Sequence, residues 1–306
     1  MKDLKALPLI LILGFLFGSN LVVARFGLSQ FHALTYNSIR LVIASLGYAL
    51  LFMVSKQWRW PRDSRIWLHG SIWGIFGLAV SMCSFVISLQ YLSAGITALL
   101  IAASPIMTAL LAHFLLPGER LNRSTLLGVF LGFAGTGLIL LTGENGLSQF
   151  SNADWRGYAW VLLGDMAAAG GYIYGRHFLR SGSAVEVAAV RMVSAAAALI
   201  IVVSLFVGYD LSRVRTSGYL ALAYSGLIAT FFPFLIEVIL VKKYGAVAAN
   251  QSAYVQPVVA ALLGAVFLDE KITVILITGM IVIFMALRLL NNRSPKMLEP
   301  AERVKQ

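Results

Sequence analysis

A stretch of 53 residues, from 66 to 118, contains no aspartate, glutamate, lysine or arginine. A helix needs about 20 mostly apolar residues to cross the roughly 30 Å hydrocarbon core of a bilayer, because each residue adds about 1.5 Å. The stretch therefore has room for two membrane spans, with a turn at "QYLSAG" (90–95). A run this long without charge favours the bilayer as the solvent of the chain.

Composition supports the same conclusion for the rest of the chain. Hydrophobic residues make up 59% and charged residues 12%, whereas a soluble domain carries about 25% charged residues. Helices satisfy their own backbone groups and are the expected spanning form, since no alternating β-barrel pattern is present. We predict an all-α integral membrane protein with ten spans and short connections: 8–27, 33–54, 67–90, 94–116, 124–142, 157–178, 185–207, 216–240, 246–268 and 272–290.

The basic residues indicate how these spans are oriented. With the N-terminus in the cytoplasm, 17 lysines and arginines fall on the inner side, 5 on the outer side and 2 inside spans. Such a bias is typical of cytoplasmic loops. The formal net charge of +11 is therefore a topology signal, and nucleic acid is not an expected partner. Lys2 and Lys5 precede an apolar run as in a signal peptide, but we expect that run to remain as the first span.

The chain repeats itself at a nearly constant offset. Residues 102–121, "AASPIMTALLAHFLLPGERL", correspond to residues 254–272, "YVQPVVAALLGAVFLDEKI". Matched pairs lie 150 to 152 residues apart across the half-chain: Leu13 and Leu163, Arg25 and Arg176, Arg40 and Arg191, Pro105 and Pro257, and Glu119 and Glu270. This spacing indicates an internal duplication with five spans in each copy.

An odd number of spans per copy has a topological consequence. If the first copy begins inside, the second begins outside, so the two copies are inverted in the membrane. Inverted repeats are typical of secondary transporters, in which substrate binds near the midplane between the copies. We predict a first repeat at 1–142, a periplasmic linker at 143–156, a second repeat at 157–290 and a basic cytoplasmic tail at 291–306. A duplication that only builds a stable bundle is the alternative.

Several segments resemble one known family. They are "FGSNLVVARFG" (17–27), "IRLVIASLGYALL" (39–51), "SPIMTALLAHFLLPGERL" (104–121), "LGVFLGFAGTGLILL" (127–141) and "QPVVAALLGAVFLDEKI" (256–272). Together they resemble the drug/metabolite transporter superfamily, specifically the EamA-type transporters with two five-helix domains. Phe17 departs from the tryptophan usual before Gly-Ser-Asn, and "LDEKI" replaces a Gly-Glu pair. The resemblance implies an exporter of amino acids or similar small metabolites, with spans 1, 3, 4, 6, 8 and 9 around a central cavity.

Polar, aromatic and proline residues within the spans are candidates for the working parts. Amides and hydroxyls in hydrocarbon need partners or a wet cavity, while most aromatic residues in bundles only pack. Prolines interrupt backbone hydrogen bonds and mark hinges or simple packing kinks. The cavity candidates are Ser19, Asn20, Trp73, Phe85, Gln90, Asp165, Tyr172, Phe231, Gln251, Tyr254 and Gln256, with Asn20, Gln251 and Gln256 expected together. The hinge candidates are Pro105, Pro233 and Pro257.

Charged residues within spans are costly and usually have a partner or a function. Asp165 lies about 12 Å into the sixth span at 1.5 Å per residue. It is a candidate proton carrier or a ligand for a substrate amine, with a structural pairing to Arg40 or another donor as the alternative. Arg191 and Glu237 are expected to form a structural ion pair. The family resemblance implies a scaffold role for Arg40 rather than contact with substrate.

Other functional classes find little support in the residues. There is no G-x-x-x-x-G-K-[ST] loop for an ATP-driven pump. The single cysteine, Cys83, forms no internal disulfide, and no Cys/His cluster has metal-site spacing. We therefore expect no cofactor and no enzyme activity. A membrane enzyme acting on lipid-linked substrates and a non-transporting partner or sensor remain as alternatives, and proton coupling is a sub-hypothesis of transport. The partners expected are a small-molecule substrate and the lipid bilayer.

Overall fold

The computed structural model describes residues 2–55, 57–115, 123–147, 154–179, 182–244 and 251–291, which form helices joined by short connections and contain no β-strand. Some of the predicted features lie outside the described residues. They are residues 292–306 of the tail, residues 148–153 of the linker, and Glu119, which is one of the repeat-related residues. The helices are α1 (Lys2–Gly27), α2 (Ala33–Val54), α3 (Ser64–Ser88), α4 (Ala94–Leu115), α5 (Arg123–Thr142), α6 (Trp155–Phe178), α7 (Ala184–Phe206), α8 (Thr216–Tyr244), α9 (Ser252–Leu268) and α10 (Val274–Asn291).

Seven of these helices, α1 to α5, α7 and α8, are long and apolar enough to cross a membrane, and α9 and α10 are shorter apolar helices. Helix α6 has the length of a span, but its five glycines and its charged residues lower its hydropathy. The observed boundaries lie close to the predicted spans. The prediction of an all-helical membrane protein is thus confirmed, whereas ten spans in inverted repeats remain a prediction.

Contacts between connections show which helix ends lie together. Gln30, after α1, bonds to Ser217 at the start of α8, and Thr35 at the start of α2 bonds to the Gly208 carbonyl after α7. At the same end of the bundle, the amides of Ser93 and Lys271 bond to the loop that follows α5. At the other end, Ser124 at the start of α5 bonds to the Leu289 carbonyl near the end of α10. We call the first the Arg25 end, because Arg25 lies in the last turn of α1 there. We call the second the Ser124 end.

Two buried cores mix helices from both halves of the chain. One core combines residues of α2 and α3 with residues of α7 and α8, including Leu41, Ala79, Met192 and Phe234. The other combines α4 and α5 with α6, α9 and α10. Neither predicted repeat therefore has a separate core in the described residues. Instead, helices of one half pack against helices of the other half in both cores.

A π-helical segment occurs in each half of the chain at the same place in the repeat. Residues Trp73–Ala79 form one within α3, and Tyr224–Phe231 form the other within α8. Trp73 and Tyr224 are 151 residues apart, the same offset as Arg40 and Arg191. Because π-helical turns are rare and concentrate at functional sites, their recurrence extends the duplication from the sequence to the backbone.

Each π-helical segment packs against the arginine-bearing helix of the other copy. A Cβ added to Gly74 would lie 2.4 Å from the carbonyl oxygen of Arg191, and one added to Gly226 would lie 3.0 Å from that of Arg40. Both positions therefore require the close backbone approach that glycine permits. The two contacts are reciprocal, since α3 lies on α7 and α8 lies on α2.

The three hinge-candidate prolines have different effects on their helices. Helix α4 is interrupted at Ala103, immediately before Ser104 and Pro105, where the amide of Ile106 donates to the Ala103 carbonyl at 2.9 Å. Pro233 follows the π-helical segment of α8, whereas α9 continues through Pro257 without a break. The repeat-related prolines thus differ in structure, and whether any is a hinge remains a prediction.

Candidate functional site

Five side chains from five helices meet in a group that we call the Arg191 cluster: Tyr48, Trp73, Tyr172, Arg191 and Glu237. The guanidinium carbon of Arg191 lies 3.7 Å from the centre of the Trp73 ring, a cation–π contact. The rings of Trp73 and Tyr172 meet edge to face at 5.8 Å. The Tyr172 hydroxyl is within hydrogen-bonding reach of Glu237, and Tyr48 is close enough to interact electrostatically with both charged groups.

The cluster forms a layer at one depth of the bundle. Arg191 is seven residues from the start of α7, and Glu237 is seven residues from the end of α8, so each lies about 10 Å from the Ser124 end. Tyr48, Trp73 and Tyr172 lie at about 9 to 14 Å by the same count. This common depth explains how residues far apart in sequence reach each other.

Glycines of α6 create the space for the Trp73 indole. A Cβ at Gly171 or Gly175 would lie 2.4 Å and 2.1 Å from indole atoms, so larger residues at either position would displace the ring. Gly171 and Gly175 thus allow α3 and α6 to lie close together, as small residues do at helix contacts in membranes. The same contact holds the aromatic face under Arg191.

One side of the cluster borders open space. Tyr172 is 44% exposed although its ring and hydroxyl contact Trp73 and Glu237. A Cβ added to Gly170, two residues earlier on α6, would have no atom within 4 Å. The Tyr172 side of the cluster therefore borders open space, while Arg191 Nε lies buried behind it.

Arg191 and Glu237 do not form the close ion pair that we expected. They interact electrostatically, but among the described residues no nitrogen of Arg191 lies within 4.0 Å of a Glu237 oxygen. The Nε atom of Arg191 is buried and has no hydrogen-bond partner. A partnerless donor in a membrane interior is costly, so the arrangement leaves one nitrogen of a charged group available.

Phe231 joins the cluster through Tyr48, as their rings meet edge to face at 4.9 Å. Phe231 also fills the space over Gly47 of α2. Tyr48 was not among the sequence candidates, because a single tyrosine in an apolar span carries no signal of its own. Three cavity candidates, Trp73, Tyr172 and Phe231, are thus brought together with the two charges Arg191 and Glu237.

Arg40, the repeat counterpart of Arg191, has a satisfied environment. Its Nε donates to the Thr230 hydroxyl at 2.9 Å, and a terminal nitrogen lies 2.9 Å from the sulfur of Met82. Thr230 in turn donates to the Ser225 carbonyl, and Ser225 shares a hydrogen bond with Tyr36. Arg40 is 4% exposed, which supports its predicted scaffold role.

Asp165 is buried in α6 and faces the interruption of α4. It accepts a hydrogen bond from the Ser104 side chain, while its Oδ1 atom is buried without a partner. The alternative of a direct pairing with Arg40 is not realised, since Arg40 uses Thr230 and Met82. Phe85 packs on Gly164, the residue before Asp165. One carboxylate oxygen is therefore free to hold a proton or a ligand.

Ser19 and Asn20 of α1 bond to the π-helical segment of α8. The Ser19 hydroxyl is 2.7 Å from that of Tyr224, and the Asn20 amide donates to the Ala229 carbonyl at 2.9 Å. Pro233, four residues after Ala229, has no amide hydrogen to offer that carbonyl. Asn20 thus replaces the backbone donor that Pro233 lacks, while its own Oδ1 has no partner.

The remaining cavity candidates lie apart from the Arg191 cluster. Gln90 lines an open cleft of about 390 Å³ at the Arg25 end. Gln251 is exposed before α9, and the Gln256 carbonyl packs on Gly18 of α1; no hydrogen bond between the described side chains joins either residue to Asn20. Tyr254 packs edge to face on Phe284 at 5.3 Å.

An ion pair joins helix ends at the Arg25 end, whereas the sequence analysis used its two residues only for topology and repeat spacing. The Arg25 Nε lies 2.9 Å from Glu270, whose carboxylate also accepts from the Ala94 amide at 2.9 Å. Arg25 donates further to the carbonyls of Leu89 and Leu92. Burial raises the pKa of Glu270, while the Ala94 amide and Arg25 oppose that shift. The network ties α1, α3, α4 and α9 together.

No group of three or more histidine, cysteine, aspartate or glutamate side chains among the described residues could hold a metal ion. Which of the candidates contact a substrate remains a prediction.

Comparison with known proteins connects this architecture to a family. The sequence profile of the EamA-like transporter family matches residues 4–141 and again residues 155–292. An uncharacterized transporter of Archaeoglobus fulgidus is 25% identical over 245 residues, covering 79% of this chain and 82% of the relative. The uncharacterized inner membrane transporter YedA of Escherichia coli is 28% identical over 252 residues, covering 81% and 78%.

A solved crystal structure has the same fold. It superposes with a TM-score of 0.65 and covers 92% of this chain and 95% of its own, at 20% sequence identity. That identity supports the fold alone. The two profile matches, in contrast, span most of the chain and divide it where the repeat predicts. The chain is a multi-pass membrane transporter rather than an enzyme, and it belongs to the EamA-like transporter family.

Proposed function

We propose that this transporter is secondary-active and exports amino acids or related small metabolites by alternating access. The observation that carries the proposal is the reciprocal packing of the two π-helical segments, one on the Arg191 helix and the other on the Arg40 helix. Because each half repeats the contacts of the other, the first half can adopt the conformation of the second while the second adopts that of the first. That exchange opens the centre to opposite sides in turn.

The alternation of helix direction supports an inverted relation between the copies. Helix α1 ends at the Arg25 end, whereas α6, its counterpart, begins there, because Tyr158 of α6 bonds to the loop after α5. The bias of lysine and arginine supports a cytoplasmic Ser124 end. In this proposal both termini are cytoplasmic and the 143–156 linker is periplasmic.

Labelling of introduced cysteines tests this topology. In a Cys83→Ser background, Arg123→Cys and Val274→Cys place thiols at the exposed first residues of α5 and α10, which are 151 residues apart. We expect a membrane-impermeant maleimide to label only the Val274 variant in whole cells and both variants after permeabilisation. Labelling of both from outside would contradict the inverted arrangement.

The ion pair of Arg25 with Glu270 supports alternating access. Arg25 and Glu270 connect helices from both copies through side-chain contacts that can separate without unfolding a helix. Asp165 accepts a hydrogen bond from Ser104 at the interruption of α4. A change of access would separate the Arg25–Glu270 contacts and use the break in α4.

An inner-membrane location is supported by the similarity to YedA, an uncharacterized inner membrane transporter, and export of small metabolites is the part of the proposal that experiments must test. Metabolite profiles of medium from overexpressing and deleted cells should identify the transported class. Uptake by inside-out vesicles should then be saturable for those compounds. Saturable uptake only by right-side-out cells would reverse the direction, and binding without flux would favour a sensor.

Proton coupling through Asp165 is the mechanistic part of the proposal. Replacement by asparagine keeps the shape but cannot release a proton, so Asp165→Asn should abolish gradient-driven accumulation while leaving exchange of internal for external substrate. Asp210→Asn, in the exposed loop after α7, is the matched control. Full gradient-driven transport by Asp165→Asn would exclude this role.

A further inference from the structure

We propose that Arg191 and Glu237 are the recognition pair for a zwitterionic substrate with an apolar side chain. Arg191 would bind the carboxylate and Glu237 the ammonium group, with Trp73, Tyr172 and Tyr48 around the apolar part. The inference rests on the proposed transport function and names its site, replacing the purely structural pairing that the sequence favoured.

The first argument is that the two opposite charges are close but not joined. They interact electrostatically across the cluster, yet no ion pair within 4.0 Å connects them in the described part of the chain. Side chains this long in a membrane interior would close on each other if nothing held them. Here each is held by an aromatic neighbour, Arg191 by the Trp73 face at 3.7 Å and Glu237 by the Tyr172 hydroxyl.

The second argument is the unused hydrogen-bonding capacity. Arg191 Nε is buried with no partner, and a planar guanidinium is suited to bind a carboxylate in a bidentate manner. A group with both charges, arranged head to tail between Arg191 and Glu237, satisfies the donor and neutralises the acid at once. A purely anionic or purely cationic ligand leaves one of the two charges uncompensated.

The third argument is access. Tyr172 is 44% exposed and the space beside Gly170 is open, so the cluster borders open space on one side, and the Tyr172 ring separates that space from the buried charges. The walls on the other side are aromatic, including Phe231 against Tyr48. An apolar or aromatic side chain gains contact with these rings, and the Tyr48 hydroxyl, which is buried without a hydrogen-bond partner, is one more polar group that a ligand could satisfy.

The fourth argument is that the first repeat, around Arg40, has neither an acid nor a tyrosine at the positions that correspond to Glu237 and Tyr172. Val86 stands 151 residues before Glu237, and Leu21 stands 151 residues before Tyr172. The repeat scaffold therefore holds a buried arginine without an acid and without a tyrosine at the corresponding positions. Packing alone does not require them, and this leaves recognition as the reason for the acid at position 237.

The wild-type protein, purified in detergent, provides the first test. Leucine and phenylalanine are compared with their N-acetyl derivatives, their carboxamides and the doubly blocked forms, by the ligand-induced rise in Tm and by titration. Because hydrogen bonds to charged groups contribute about 1.5–3 kcal/mol, blocking either charge should weaken binding by about tenfold to a hundredfold. Equal binding of the free and blocked forms would overturn the proposal.

Variants then assign each charge to its partner. Glu237→Gln should remove the preference for a free amine but keep the preference for a free acid, and Arg191→Gln should do the reverse. Arg288→Gln, which removes an exposed arginine of α10, is the control and should keep both preferences. A variant that loses structure is recognised by its own Tm, and the derivative series on the wild-type protein still decides the question.

The outcomes separate this inference from the function it rests on. Flux of other metabolites in proteoliposomes, without binding of any zwitterion, would overturn the recognition pair and leave transport standing. Selective zwitterion binding without flux would retain the pair and overturn transport. Unchanged preferences in both Glu237→Gln and Arg191→Gln would overturn the pair whatever the flux.

Discussion

Arg40 and Arg191 occupy the same position of a repeated sequence, and the structure gives them different surroundings. Arg40 is buried and bonded to Thr230 and Met82. Arg191 lies over Trp73, faces Glu237 and retains a buried nitrogen without a partner. The difference shows that a duplicated scaffold can satisfy one arginine and leave a donor of its copy without a partner.

The neighbours of each arginine explain the difference. Thr230 and Ser225 of the α8 π-helical segment supply oxygens to the Arg40 network. The α3 π-helical segment presents Trp73, which offers Arg191 an aromatic face but no acceptor. The same backbone irregularity is thus used with polar side chains on one side and with an aromatic side chain on the other.

The largest expected effect is on the stability of the two arginine variants. Arg40→Ala should lower the free energy of unfolding by about 3 kcal/mol, because it leaves a cavity and removes the partner of Thr230. Arg191→Ala should cost about 1 kcal/mol but abolish transport. Thermal unfolding in detergent and vesicle uptake measure the two effects. Equal losses of stability would break the comparison.

The next largest loss of stability should follow substitution of the two glycines at the reciprocal contacts. Gly74→Ala and Gly226→Ala each force a Cβ against the backbone of the arginine helix, and we expect each to cost about 2 kcal/mol. Gly74→Ala should also reduce transport, since it shifts Trp73 relative to Arg191. Gly170→Ala, with no atom near the added Cβ, is the control and should unfold no more easily than wild type.

A smaller effect should follow removal of the Arg40 acceptor. Thr230→Val keeps the shape but leaves Arg40 Nε without its partner, as Arg191 Nε already is, at a cost of about 1 kcal/mol. Chemical denaturation of the detergent-solubilised protein measures the change. An unchanged stability would mean that the Thr230 contact does not distinguish the two arginines.

The smallest effect on stability should come from Tyr172→Phe. Loss of one hydroxyl from a partly exposed tyrosine should change the free energy of unfolding by about 0.5 kcal/mol, while releasing Glu237 from its position. The half-saturating substrate concentration for vesicle uptake should therefore rise with little change in Tm. A fall in Tm as large as that of Arg40→Ala would assign Tyr172 to the scaffold.

The candidate site shows where sequence reasoning reached its limit. Trp73, Tyr172 and Phe231 were predictable as candidates because aromatic and polar residues in spans are few enough to select. Their meeting with Arg191 was not, because depth along five separate helices decides it. Tyr48 had no distinguishing pattern, and the ion pair of Arg25 with Glu270 requires the ends of α1 and α9 to meet.

Hydrophobic run length determined the helical membrane class from the sequence by itself, because backbone groups in lipid must be satisfied within each span. The constant offset of about 151 residues likewise determined the duplication, which the two family matches confirm. Tertiary structure alone decided which of two equivalent arginines is satisfied. That outcome depends on which side chains the other copy presents to each arginine, and contacts between distant segments leave no local pattern in the sequence.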